Sequence, residues 1–312
     1  MACSYPQEGF VSHTGTYTPN EKNSTGIPLT IPCGSCMQCK VKHSLDWAVR
    51  CSNEMQTHET SCFITLTYKD LPENGNLNHD HFKAFMDKLK KRLGKQPRYF
   101  MAGEYGKNQD TAIYGDSKLG RPHFHAIIFG YDFPDKQPFK KSYNGEQYYT
   151  SELLNKLWKY GNCIVTAATF QTAAYVSRYI TKKIKGDMAE DHYQRIDKET
   201  GEVVTLSPEY NKQSNRPGLG KDWLIKYFDD VFPSDEIIIS GRTYQVPRYY
   251  TKILKKENPQ LSAEVEGARQ LTAYERKLID TDTRDYWKKA IDSETNMQAK
   301  LIKKIRGYEN NA

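Results

Sequence analysis

The stretch Gly120-Arg-Pro-His-Phe-His-Ala-Ile-Ile-Phe-Gly130 places two of the chain's eight histidines inside a run that otherwise has the makings of a buried strand. Side chains of a strand alternate between its faces, so His123, His125, Ile127 and Phe129 share one face while Phe124, Ala126 and Ile128 share the other. Two imidazoles side by side on an apolar surface cost roughly 1–3 kcal/mol for each polar group left without a partner. One cation bound by both removes that cost. The competing reading is a pair of partly buried histidines satisfied by hydrogen bonds, and this strand alone does not separate the two.

Working outward, RYFMAGEYG (residues 98–106) reads as a preceding strand and FITLTY (63–68) as an earlier one, with CIVTAAT (163–169) as a fourth. Residues 80–93 repeat apolar side chains at helical spacing through Phe82, Phe85, Met86, Leu89 and Leu93. SELLNKLWKYG is a short helix with Ser151 as its N-cap, and FQTAAYVSRYITKKIKG is a helix stopped by Gly186. The order β, α, β, β, α, β, α predicts an α+β fold: an antiparallel sheet with helices packed on one face. If the strands holding Glu104 and the two histidines are neighbours, Glu104 supplies a third ligand. Two nitrogens and a carboxylate leave coordination positions open, the mark of a catalytic metal site.

Such a site needs a nucleophile, and AAYVSRYITKK offers one. Tyr175 and Tyr179 are four residues apart on the last helix, and Lys182 continues their stripe. Packing explains tyrosines at this spacing equally well. The chemical alternative is attack on a phosphodiester, which gives a covalent phosphotyrosine. A phenol titrates near pH 10, so its anion at pH 7 is disfavoured by roughly 4 kcal/mol, which a nearby ammonium and a cation help to offset.

The 312 residues carry 45 basic and 38 acidic side chains, a net charge of +7. Within the stretch His79–Arg98, Lys83, Lys90, Lys91, Arg92 and Lys95 make a basic face suited to duplex phosphates, with Arg50 in support and Arg216 and Lys221 as lesser candidates. A merely solvated face is the plainer reading. Twenty-two tyrosines suit base stacking as well as ordinary cores. No apolar run is long enough to span a membrane, and the first thirty residues hold no signal core, so the expected location is cytoplasmic. No G-x-x-x-x-G-K-[ST] occurs, which argues against a nucleotide cofactor.

Cys33, Cys36 and Cys39 in CGSCMQC fit three of the four ligands of a structural zinc ion, with His43, Cys51 or Cys62 as candidates for the fourth. Free thiols or an iron–sulfur cluster are the other readings, and Cys3 and Cys163 read as singletons. Residues 1–32 suggest an extended arm, 33–58 a cysteine cluster and helix, 59–186 the core, and 187–312 a mainly helical extension. Within that extension, EIIISGRTYQV is a hairpin candidate turning at Ser240-Gly241.

FITLTY, PHFHAIIFG and YVSRYITKK, in that order, closely resemble the three motifs of HUH endonucleases, the rolling-circle replication initiators of single-stranded DNA replicons. The two-tyrosine helix resembles one subgroup. PCGSCMQCK, the helix with DWAVRC, and SNRPGLG are similar to the initiator of the gokushovirus branch of microviruses, bacteriophages with circular single-stranded genomes. The resemblance covers roughly residues 32–222.

It implies the HUH/Rep nuclease fold with a ferredoxin- or RRM-like core. It also implies a Mg²⁺ or Mn²⁺ ion on His123, His125 and Glu104, nucleophiles at Tyr175 and Tyr179, and a phosphate-positioning Lys182. The implied activity is nicking of viral origin DNA, duplex and single-stranded, to a 5′-phosphotyrosine and a free 3′-hydroxyl, followed by strand rejoining. Helicase and polymerase would come from the bacterial host, in whose cytoplasm the protein would act. A two-tyrosine transposase or plasmid relaxase would share the chemistry, whereas a non-catalytic, zinc-containing DNA-binding protein would share only the fold.

Overall fold

Alternation in GRPHFHAIIFG is realised as an eleven-residue strand at the middle of a seven-stranded antiparallel sheet. The structure, a computed structural model, describes residues 3–72, 75–108, 117, 119–142, 145–184, 188–196, 200–279 and 284–309. The chain forms two units, residues 45–265 and residues 1–44 with 266–312.

The N-terminal part, expected as an extended arm, forms a small sheet in the order β2-β1-β3. Its strands are β1 (Gln7–Ser12), β2 (Tyr17–Thr18) and β3 (Ser24–Ile31). Helix α1 (Met37–Met55) then begins inside the cysteine cluster, six residues before the predicted start at His43. The core continues with β4 (Ser61–Thr67), α2 (His79–Leu93), β5 (Arg98–Lys107), β6 (Leu119–Phe129), β7 (Gln137–Lys141) and β8 (Gln147–Thr150). It closes with α3 (Glu152–Trp158), β9 (Cys163–Ala167) and α4 (Phe170–Lys182). The helix end expected at Gly186 falls outside the described residues; α4 itself ends at Lys182.

Beyond α4 come α5 (Met188–His192), a hairpin of β10 (Gln194–Ile196) with β11 (Val203–Thr205), and β12 (Tyr210–Gln213). Two short helices follow, α6 (Lys221–Lys226) and α7 (Phe228–Val231). The predicted hairpin is present as β13 (Glu236–Ile239) and β14 (Arg242–Gln245). Ser240 and Gly241 turn it with φ of 51° and 71°, the left-handed pair that a tight two-residue hairpin needs. Helices α8 (Arg248–Glu257), α9 (Pro259–Leu278) and α10 (Tyr286–Glu309) complete the chain.

The large sheet runs β12-β5-β6-β4-β9-β8-β7, so the histidine strand lies between β5 and β4. Helices cover both of its faces, which corrects the one-faced arrangement expected. On one side Phe124, Ala126 and Ile128 meet Ile64, Leu66 and Met101, under Phe82, Phe85 and Leu89 of α2 and Trp158 of α3. Each of the large side chains here is almost wholly buried and contributes roughly 1.5–3 kcal/mol by leaving water.

On the other side Ile127 and Phe129 meet Phe63, Phe100 and Ala102, under Ala48 and Cys51 of α1 and Ala173, Ala174 and Val176 of α4. Alanines on both helices let their backbones lie close to the sheet. Their small side chains leave little of the apolar stripe that sequence periodicity detects, so the second layer was not legible beforehand. Ala173, Ala174 and Val176 flank Tyr175, so the helix that carries this tyrosine packs on the histidine face.

Candidate metal centre and tyrosine helix

Register decides the site. Glu104 of β5 pairs directly with His123 of β6, and Thr65 of β4 pairs with His125 on the other flank. Direct cross-strand partners point to the same face, so Glu104, His123, His125 and Thr65 converge. One oxygen, Glu104 Oε1, lies 2.6 Å from His123 Nε2 and 2.9 Å from His125 Nε2. The carboxylate is 2% exposed and His125 5%, while the His123 side chain keeps a 17% opening to solvent.

The remaining ring nitrogens are also engaged. His123 Nδ1 lies 3.2 Å from the Arg121 carbonyl, which can only accept, so this nitrogen carries the proton. In neutral His123 the Nε2 lone pair then faces a carboxylate oxygen at 2.6 Å, an arrangement that requires a cation between or beside them, either a proton or a metal. His125 Nδ1 meets the Thr65 hydroxyl at 3.0 Å, which fixes the ring while leaving either tautomer open. Two imidazole nitrogens and a carboxylate oxygen, with the outer nitrogens anchored, fit a divalent ion.

Tyr175 is half-buried on α4, its ring edge-on to His125 at 5.2 Å between centroids and to Phe63 at 6.2 Å. Thr169 sets the helix start through a capping box with Thr172. Such reciprocal hydrogen bonds hold the first turn, and with it the direction in which Tyr175 projects. Tyr179 and Lys182 continue the same helix, but their side chains lie outside the described residues.

The basic residues fall elsewhere. Lys83, Lys90, Lys91, Arg92 and Lys95 are exposed on or just after α2, which packs on the sheet face opposite the histidines. Arg50 is not part of that surface. Its guanidinium is stacked between Trp47 and Tyr249, 4.1 Å from each ring centroid, and its Nε donates to the Leu219 carbonyl at 3.0 Å.

Sequence reasoning missed what Arg50 holds, namely the SNRPGLG loop. Arg98 donates to the Pro217 carbonyl, and the Gly220 amide donates to Glu54 at 2.7 Å. Gly220 has φ 78°, and a Cβ there would collide with the Tyr250 hydroxyl, so conformation and space both demand glycine. Arg216 is exposed and Lys221 half-buried beside this loop.

Cys33, Cys36 and Cys39 do converge, and the fourth thiol is Cys3, with all four sulfurs within 4.8 Å of one another. None of the three proposed fourth ligands takes part. His43 is exposed on α1, while Cys51 and Cys62 are buried in the hydrophobic clusters of the large sheet. The reading of Cys3 as a singleton is therefore overturned, whereas Cys163 is a buried core residue.

Residues 61–184 match the replication-associated protein ORF2 family, a span that runs from β4 through the end of α4 and so contains every residue of this site. The chain is 29% identical to replication-associated protein VP4 of Bdellovibrio phage phiMH2K over 88% of this chain and 84% of that protein. It is 30% identical to replication-associated protein ORF4 of Chlamydia phage 1, over 72% of this chain and 54% of that one. Replication-associated protein ORF2 of Spiroplasma virus 4 is 26% identical over 73% and 68%. No solved structure gave a significant match.

Proposed function

Because this chain belongs to the replication-associated proteins of phages, we propose that it initiates rolling-circle replication of phage DNA as a metal-dependent nickase and strand transferase of the HUH type. The observation that carries the reading is the edge-on contact of Tyr175 with His125, above the buried Glu104 and its two imidazoles.

Glu104, His123 and His125 would hold a divalent ion, Mg²⁺ or Mn²⁺, whose chemistry when bound is polarisation of a phosphate oxygen. Thr65 and the Arg121 carbonyl orient the two rings. The Tyr175 hydroxyl, on a helix pinned at its N-terminus, attacks the scissile phosphorus. A tyrosyl O–P bond forms, the P–O3′ bond breaks, and the proton lost by the phenol balances the one gained by the departing 3′-oxygen. Reversal with a second 3′-hydroxyl rejoins a strand and frees the tyrosine. Tyr179 supplies the second nucleophile that two rounds of transfer require, and Lys182 the positive charge beside the phosphate.

The substrate on this reading is origin DNA, single-stranded at the moment of attack. Unwinding and synthesis come from a host helicase and polymerase, and the protein acts in the bacterial cytoplasm. Among the described residues no helix is long and apolar enough to cross a membrane. Incubating the full chain with a supercoiled circle carrying the phage origin, Mn²⁺ and SDS should trap a covalent adduct. Tandem mass spectrometry should place the DNA on Tyr175 or Tyr179; an adduct on any other residue refutes the mechanism, and no adduct under any divalent ion refutes the activity.

A further inference from the structure

Away from the large sheet, the described residues hold one further cluster of metal-ligating side chains, the four thiols of Cys3, Cys33, Cys36 and Cys39. Cys3 Sγ lies 3.5 Å from Cys33 Sγ and 3.8 Å from Cys36 Sγ. Tetrahedral zinc with Zn–S bonds of about 2.3 Å separates its sulfurs by about 3.8 Å, so the spacing already matches such a shell. It does not match a disulfide, whose sulfurs stand about 2.05 Å apart.

The surroundings favour thiolates. The Cys36 amide donates to Cys33 Sγ at 3.3 Å, the Ser35 hydroxyl reaches the same sulfur at 3.6 Å, and the Cys33 amide donates to Cys3 Sγ at 3.3 Å. Gly34, with φ 74°, makes the tight C-x-x-C turn that turns those amides inward. Four soft sulfur donors with no carboxylate or imidazole among them suit zinc and leave no position for a substrate.

We propose that Cys3, Cys33, Cys36 and Cys39 hold one structural zinc ion that fastens the first residues of the chain to the start of α1. This does not depend on the nuclease reading. The cluster is the centre of a larger knot. Ser4 donates to Gln38 at 2.6 Å, and Gln38 in turn donates to Ser293 at 2.7 Å. The Met37 amide donates to Glu294, Tyr286 donates to the Ser4 carbonyl, and Trp287 stacks on Tyr5. Residues 3–5, the head of α1 and the first half of α10 therefore meet around the sulfurs, and metal binding there is coupled to folding of the segments it joins.

X-ray absorption at the zinc edge on the full-length protein, purified without chelator, should show four sulfurs at about 2.3 Å. A shell containing nitrogen or oxygen, or iron with acid-labile sulfide in place of zinc, would overturn the assignment. Elemental analysis should give close to one zinc per chain, and Cys3→Ser should weaken zinc retention against a competing chelator by at least about tenfold, while Cys163→Ser should leave it unchanged. Retention by Cys3→Ser equal to the wild type would remove Cys3 from the site.

If the serine variants do not fold, the absorption spectrum of the wild type decides alone. Burial pushes the thiols of Cys51, Cys62 and Cys163 up and away from reactivity, so a mercurial should strip the cluster first. Amide exchange should then rise in residues 5–31 and 286–300 and stay constant in β4–β6; unchanged exchange in the first two segments would refute the fastening role.

Discussion

The two faces of the large sheet are built from the same strands with opposite contents. Beneath α2 and α3 the alternate residues Phe124, Ala126 and Ile128 make a dry layer filled with aromatic bulk. Beneath α1 and α4 their neighbours His123 and His125 bring charge and hydrogen-bonding capacity, and the covering helices offer alanines instead of phenylalanines. One face stabilises the fold and the other exposes chemistry, one residue apart along β6. This comparison can be broken directly.

Phe124→Ala should cost roughly 3–5 kcal/mol of stability, read as a fall in denaturant midpoint at constant slope. His123→Ala should cost under about 1.5 kcal/mol, yet reduce nicking by at least about 100-fold, since loss of an outer-shell partner alone typically costs 10–100-fold and His123 is a direct ligand on this reading. Salt-sensitive duplex binding should persist in the histidine variant. Equal losses of stability in both variants would mean that the histidines are core residues.

The nucleophiles come next. Tyr175→Phe and Tyr179→Phe should each retain some cleavage of a single-stranded oligonucleotide, and the double substitution none, judged by denaturing gels of labelled adduct. An adduct surviving in the double variant would move the attacking group off α4.

Much of this arrangement could be read beforehand because it is local. Period-two alternation in β6, the apolar stripe of α2, Ser151 capping α3 and the Ser240-Gly241 turn each depend on a few consecutive residues. What escaped depends on distant ones. Strand β7 is exposed along its whole length and β12 is the polar run Tyr210–Gln213, so neither shows the hydrophobic pattern of a strand; β12 exists because β5 offers it an edge. Cys3 stands thirty residues before its nearest fellow ligand. Arg50 looked like a phosphate contact because a cation with flanking aromatics is legible, whereas the Leu219 carbonyl that receives it is not.

The histidine face also carries a second buried carboxylate, and it should behave unlike Glu104. Burial alone would raise the Glu54 carboxyl, but the His58 ring, the Arg98 guanidinium and the Gly220 amide hold it down at about 2. The group is therefore ionised in the fold well below the pH at which the unfolded chain protonates it, near 4.5. Its contribution, about 3 kcal/mol at most, is complete above pH 4.5 and fades as pH falls towards 2. Glu54→Gln should remove that part of the acid dependence and destabilise the protein by roughly 3 kcal/mol at pH 7, with Arg98 left buried without its counter-charge. Chemical denaturation of both proteins across pH 2–7 measures it.

Thr65→Val tests how far orientation matters once the ligands are present. The change keeps the shape of β4 but takes the hydroxyl from His125 Nδ1. Mn²⁺ affinity should fall about 10–100-fold, with cleavage restored at high Mn²⁺. Loss of activity that excess ion cannot restore would assign Thr65 a different part.

The smallest effect on chemistry belongs to the far face. Lys90, Lys91 and Arg92 sit on α2, behind the sheet from Glu104 and the histidines. Changing all three to glutamine should leave cleavage of a short single-stranded oligonucleotide within about twofold, because an exposed charge beyond the aromatic layer is screened within roughly 10 Å at moderate salt. If duplex DNA runs across this surface, log affinity for it should become less steep in log salt by about 0.9 for each phosphate contact removed. A steep loss of single-strand cleavage with an unchanged salt slope would reverse the assignment, making α2 part of the reacting face and dissolving the division of labour between the two sides of the sheet.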